Sequence, residues 1–347
     1  MQARVRARRS RLLDATAWRD LIDAGSLGRT LQALRATPYG DAMGPPDVAA
    51  ATLVRLERNL RRTLRREAVA LAASVPPTAR ELLLWHANAA VVQDLKLLVR
   101  ALWHGHSLEA VWSATTLSDR EDDAYADVEG VRSVPALIVA LERTPYGRAL
   151  ADAWDRARQE GRPFYLEVAL DLAYQRGLVA RIEALSGGDR EDAKQLLGRA
   201  LARSNLIAAG RYRSLAGVSP EEVVNFCLHR DFGGGLAMVQ RVAVGASLRD
   251  EAAALGVVLP PPPPNDGPHA AAADDAATLL ELERANDRMQ RAAARARFGR
   301  QPFGLGLVLA YLIEKAAEAA DLVALCEGEA QGLDPAALRA RIPREVP

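Results

Sequence analysis

The chain has 347 residues, 45 Lys+Arg against 44 Asp+Glu, 5% aromatics and two cysteines. A net charge of +1 gives no global positive field to draw in a polyanion, and Cys227 and Cys326 are too few for a disulfide framework and lack C-x-x-C spacing. Hydrophobic residues make up 49% with few aromatics, so the cores of two or three domains are built from Ala, Leu and Val, which favours helix.

Met1 leads directly into Arg4, Arg6, Arg8, Arg9 and Arg11, without the apolar run of a secretory signal. Leu34-Arg35-Ala36-Thr37-Pro38-Tyr39-Gly40 follows, and then a second basic stretch of Arg55, Arg58, Arg61, Arg62, Arg65 and Arg66. On a helix, Arg58, Arg62, Arg65 and Arg66 fall largely on one face. No aromatics interleave for base stacking, so an acidic partner or anionic headgroups fit this face better than nucleic acid, and a plain solvated face fits equally well. In Leu82, Leu83, Trp85, His86, Ala89, Val92 and Leu95 the spacing alternates threes and fours, which predicts an amphipathic helix with His86 as a core histidine. His104 and His106 flank Gly105 with no third metal ligand nearby.

Glu121-Asp122-Asp123-Ala124-Tyr125-Ala126-Asp127 resembles the aspartate-rich motif of magnesium-dependent all-α prenyl-diphosphate enzymes, but its third Asp falls one position late. We read it as a solvated acidic joint. Phe164 to Leu170 has the composition of a strand, yet it flows into Asp171-Leu172-Ala173-Tyr174 without a break and reads as helix. Leu196, Leu197, Ala200, Leu201 and Ser204 mark another amphipathic helix. His229-Arg230-Asp231-Phe232-Gly233 holds both protein-kinase tripeptides, but they share one aspartate where that chemistry needs two, and no Gly-rich nucleotide loop precedes them. Pro260 to Pro264, followed by Asn265-Asp266-Gly267-Pro268, predicts an extended, solvated loop. The longest apolar run, Gly304 to Ile313, is about half of the roughly 20 residues that a membrane-spanning helix needs.

The chain repeats itself. Asp94-Leu95 precedes Gly105-His106-Ser107 and Ala110-Val111, and Asp321-Leu322 precedes Gly332-Leu333-Asp334 and Ala337-Leu338 at the same intervals. A middle copy, Asn205-Leu206 with Gly217-Val218-Ser219 and Val223, carries one extra residue before its glycine. Each copy predicts a helix ending on a left-handed glycine with a Ser or Asp capping the next helix, and in the second and third copies Pro220 and Pro335 take its first position. Thr144-Pro145-Tyr146-Gly147 likewise repeats Thr37-Pro38-Tyr39-Gly40, and a decayed third copy falls at Leu255-Gly256. The expected organisation is therefore three related all-α units: residues 1–120, 121–231 and 232–347, the third containing the proline-rich loop at 260–268. Under pseudo-threefold symmetry the elbows at His106, Val218 and Leu333 would share one rim, which makes them candidate partner-binding residues together with Arg58 and Arg62.

A triplicated helical chain with these motifs resembles the C-type subunits of A/V-type ATP synthases, which are similar to the d-type subunit of the vacuolar enzyme. The residues that carry the resemblance are Ala3-Arg4-Val5-Arg6-Ala7-Arg8, the two Thr-Pro-Tyr-Gly copies, Asn205-Leu206 with Gly217, and Pro302-Phe303-Gly304-Leu305-Gly306-Leu307-Val308-Leu309-Ala310-Tyr311-Leu312 with Glu318-Ala319-Ala320-Asp321-Leu322 and Gly332. The resemblance implies a funnel of three similar helical domains without catalytic residues, cofactor or metal. It further implies a rotor socket between the central shaft subunits (D and F type) and the membrane proteolipid ring, on the cytoplasmic side of the membrane. It departs at Asp94 and Asp321, where the usual residue is Asn, and in the proline tract. A helical adaptor unrelated to rotary motors is the alternative.

Overall fold

The computed structural model describes residues 2–43, 52–119, 123–215, 217–261, 270–300 and 304–342. Among them all regular structure is helical, including Phe164–Ala184, the segment with strand-like composition. Local chemistry sets many helix starts. The side chains of Asp14, Ser107, Ser133, Ser219, Ser247 and Asp334 each accept a backbone N–H from the first turn that follows, a cap that stabilises a helix by about 1 kcal/mol.

The chain divides into two compact units, one of residues Met1–Ala151 with Tyr311–Pro347 and the other of Asp152–Ala310. These units cut across both the second and the third sequence repeats: residues 121–151 and 311–347 fall in the first unit, and 152–231 and 232–310 in the second.

In the first unit the two ends of the chain share a core. Trp18, Ile22, Leu34, Met43, Leu56 and Leu60 are buried with Leu322, Leu325, Cys326, Leu338 and Ile342. Each such side chain contributes about 1.5–3 kcal/mol on burial, so neither end is complete alone. The arginine-rich helix Gln2–Arg9 buries Val5, and two of its arginines reach acids of the same unit. Arg8 pairs with Glu67, Arg9 Nε lies 3.0 Å from Glu314, and Arg4 donates to Ser74 Oγ at 2.8 Å.

The amphipathic run from Leu82 to Leu95 is two helices, Pro77–His86 and Ala89–Trp103, joined by a turn at Ala87 and Asn88. Pro77–Trp103 is the one stretch among the described residues long and apolar enough to cross a membrane, but half of its 18-residue window is buried inside the protein. It also carries the fully buried Asp94.

The second unit is built on the helix Gly187–Ala193, which continues through a wide π turn at Lys194–Gly198 into Arg199–Arg213. Leu206, Ala209, Met238, Val239, Val242 and Leu282 form its core. Phe164, Tyr165, Tyr212 and Phe226 close one end with edge-to-face contacts at centroid separations of 5.5–5.9 Å. Of the proline-rich loop only Pro260 and Pro261 are described, and Glu121, Asp122 and the Asp123 side chain of the acidic joint lie outside the described residues.

Candidate partner-binding site

The three expected elbows form as local structures. Gly105, Gly217 and Gly332 have φ of +73°, +78° and +78°, which an L side chain rarely adopts. An added Cβ would meet nothing within 4 Å at any of them, so backbone conformation rather than space selects glycine. At the first and third elbows the following N–H reaches back over the turn, His106 to Ala101 O at 2.8 Å and Leu333 to Gly328 O at 3.0 Å. Ser219 and Glu222 complete a reciprocal capping box at the second. A fourth elbow of the same design stands at Gly245-Ala246-Ser247: φ is +104° at Gly245, Ala246 N bonds Arg241 O at 2.9 Å, and Ser247 caps Asp250. Sequence spacing misses it because no Asp-Leu or Asn-Leu pair precedes it at the repeat interval.

The candidate rim residues are not equivalent. His106 is exposed, whereas Val218 and Leu333 are partly buried against the cores of their own units. Arg58 is half-buried and tied down: its Nε donates to Thr115 O at 2.9 Å and a terminal nitrogen donates to Ser118 Oγ at 2.9 Å. Arg62, one turn on, is also half-buried.

The repeated Asp/Asn position has a physical role that spacing alone does not show. Asp94 is 0% exposed; its Oδ2 accepts the backbone N–H of Thr116 at 2.7 Å, and Arg61 lies 3.1 Å from its Oδ1. Burial raises the Asp94 carboxyl above its usual range, opposed by the Thr116 bonds and the Arg61 charge. In the second repeat, Asn205 Oδ1 accepts the N–H of Leu228 at 2.8 Å, while its Nδ2 donates to Leu228 O at 2.9 Å and Asp231 Oδ2 at 2.8 Å. Both side chains therefore pin the chain that returns after the elbow.

The Thr-Pro-Tyr-Gly copies also share local geometry. Thr37 and Thr144 each donate their hydroxyl to the carbonyl three residues back, at 2.6 and 2.8 Å. A Cβ on Gly40 would lie 2.5 Å from Arg35 O, and one on Gly147 would lie 2.2 Å from Leu141 O. The tyrosines differ in their tertiary partners. Tyr146 stacks on Trp85 at 6.2 Å. Tyr39 donates to the fully buried Glu318, which also accepts Leu13 N–H at 3.0 Å, and Lys315 Nζ stands 3.8 Å from the centre of the Tyr39 ring. Here Glu318, read from sequence only as part of the resemblance, organises a buried polar network.

Among the described residues the other motifs form no catalytic constellation. Asp231 Oδ1 accepts the N–H groups of Gly233 and Gly235 at 2.8 and 2.9 Å, so the kinase-like tripeptides are a turn. Burial pushes the Cys227 and Cys326 thiols up to about 12, which leaves neither as a thiolate nucleophile at neutral pH. His104 and His106 rings lie 6.4 Å apart. Among the described residues no group of three His, Cys, Asp or Glu could hold a metal ion.

The motif after residue 303 is equally structural. Asp189 Oδ1 accepts Leu305 N–H at 3.0 Å, and Arg297 grips Asp192 through two bonds of 2.9 and 2.7 Å. A Cβ on Gly306 would lie 2.3 Å from Asp192 Oδ2.

Comparison with known proteins accounts for these features together. Residues 1–341 match the family of ATP synthase (C/AC39) subunits. The chain is 22% identical over 341 residues to the C-type subunit of the A-type ATP synthase of Methanocaldococcus jannaschii, a similarity covering 98% of this chain and 84% of that protein. The family match spans the arginine-rich start, the Thr-Pro-Tyr-Gly copies and the three expected elbows rather than one short motif. The chain belongs to the ATP synthase C/AC39 subunit family of A/V-type ATPases.

Proposed function

We propose that this chain is a non-catalytic rotor subunit, a socket that holds the central shaft subunits (D and F type) and seats them on the membrane proteolipid ring. It passes torque between ATP chemistry elsewhere in the complex and H⁺ or Na⁺ movement through the ring. In this reading the three repeats form a pseudo-threefold funnel bound peripherally on the cytoplasmic face of the membrane. The whole-chain family match carries the proposal. The elbows support it, because a left-handed glycine and a side-chain cap fix a compact turn without using the outward side chain of His106. The buried pins Asp94 and Asn205 give the first two turns a rigid footing, which a part that transmits force requires. A tagged chain recovered from membranes should bring shaft and proteolipid subunits with it. Recovery with neither would overturn the proposal.

A further inference from the structure

We propose that a cleft in the second unit binds a small phosphate- or carboxylate-bearing molecule through Arg199 and Arg203. The cleft has a volume of about 790 Å³ and lies over the π turn, between the Arg199–Arg213 helix, the Ala270–Arg300 helix and the Leu255-Gly256 turn. That size falls within the roughly 300–1,000 Å³ of small-molecule sites.

Arg203 is 5% exposed. Its side chain makes one bond among the described residues, from Nε to Asn286 Oδ1 at 2.7 Å, and no described carboxylate is within ion-pairing distance. Arg199, one helical turn earlier, lines the same cleft and likewise has no ion pair among the described residues. Two like charges at this spacing repel, and a buried guanidinium without a counter-charge is costly. Burial, then the Arg199 charge, holds Arg203 below its usual range.

The acids of the cleft do not supply the missing charge. Asp192 is engaged by both bonds from Arg297, and Glu191 accepts the Gln195 amide at 3.1 Å. A phosphate or carboxylate group bridging Arg199 and Arg203 would supply it, two of its oxygens accepting from the guanidinium groups in the fork geometry they favour. Leu196 and Met289 would cover an apolar body attached to that anion. This inference is independent of the rotor proposal.

The test is isothermal titration of the purified full chain with inorganic phosphate and with citrate, at ionic strength matched with chloride, alongside Arg203→Met and Arg199→Met. Wild type should give saturable heat, and Arg203→Met should lose about tenfold or more in affinity. Without ligand, Arg203→Met should melt no lower than wild type, because it removes an uncompensated buried charge. Sedimentation with phosphatidylglycerol vesicles separates the two sources of the anion. Vesicle binding that inorganic phosphate displaces and Arg203→Met abolishes assigns a lipid headgroup. Phosphate or citrate heat without vesicle binding assigns a free anion. Absence of saturable heat and of Arg203-dependent vesicle binding, or equal affinity in wild type and Arg203→Met, would overturn the site.

Discussion

Asp94 Oδ2 accepts the backbone N–H of Thr116 at 2.7 Å, across 22 residues that contain the first elbow. Asn205 makes the matching bond to Leu228 N–H in the second repeat at 2.8 Å. One carboxylate and one carboxamide perform the same task, and in the first repeat Arg61 balances the extra charge. Replacing Asp94 with Ala leaves the Thr116 N–H without its acceptor and removes the nearer of the two acids beside Arg61, whose other partner is Glu57 at 3.7 Å, at a cost of about 3 kcal/mol. Asp94→Asn keeps the acceptor and should cost about 1 kcal/mol. Denaturant midpoints measure both, and equal losses for the two variants would contradict the pinning role.

Glycine is required for different reasons at Gly147 and Gly105. A Cβ at Gly147 would strike Leu141 O at 2.2 Å, whereas at Gly105 only the φ of +73° opposes a side chain. Gly147→Ala should therefore destabilise by about 3 kcal/mol or more, since backbone must move. Gly105→Ala should cost about 1–2 kcal/mol. The order of the two melting temperatures checks this directly.

His86 gives stability a specific acid dependence. Burial lowers its pKa from 6.5 to about 4, so the unfolded chain takes up this proton before the folded one does. The contribution is intact above pH 6.5 and is lost as pH falls toward 4, with a slope of about 1.4 kcal/mol per pH unit. Over that window the stability of His86→Gln should fall less steeply than that of wild type. Parallel curves would exclude the assignment.

Among the candidate partner-binding residues, His106→Glu should leave stability within about 0.5 kcal/mol of wild type, since the side chain is exposed. Val218→Glu and Leu333→Glu should each lose about 1–3 kcal/mol, because both side chains pack against their cores. Retention of His106→Glu on purified proteolipid rings and on the shaft subunits then reads binding free of folding. Unchanged retention on both would remove His106 from either interface.

The elbows are legible in sequence because a left-handed glycine and a Ser or Asp cap are local requirements. The helix through Phe164 to Leu170 is legible for a similar reason, since nothing interrupts the run into Tyr174. The break at Ala87-Asn88 is not, having neither Gly nor Pro to announce it. Partners across the fold are beyond reach as well. Arg9 reads as part of a basic stripe, yet it meets Glu314, and Tyr39 finds Glu318 only once the two chain ends share a core. The uncompensated charge of Arg203 becomes visible only when its burial and the acids around it are known.

The most direct test of the rotor account is ion pumping by membranes from which this chain has been stripped and to which it is then restored. ATP hydrolysis by the catalytic head should continue without the chain while pumping stops, and adding the chain back should recover pumping. Pumping that persists in its absence would contradict the account.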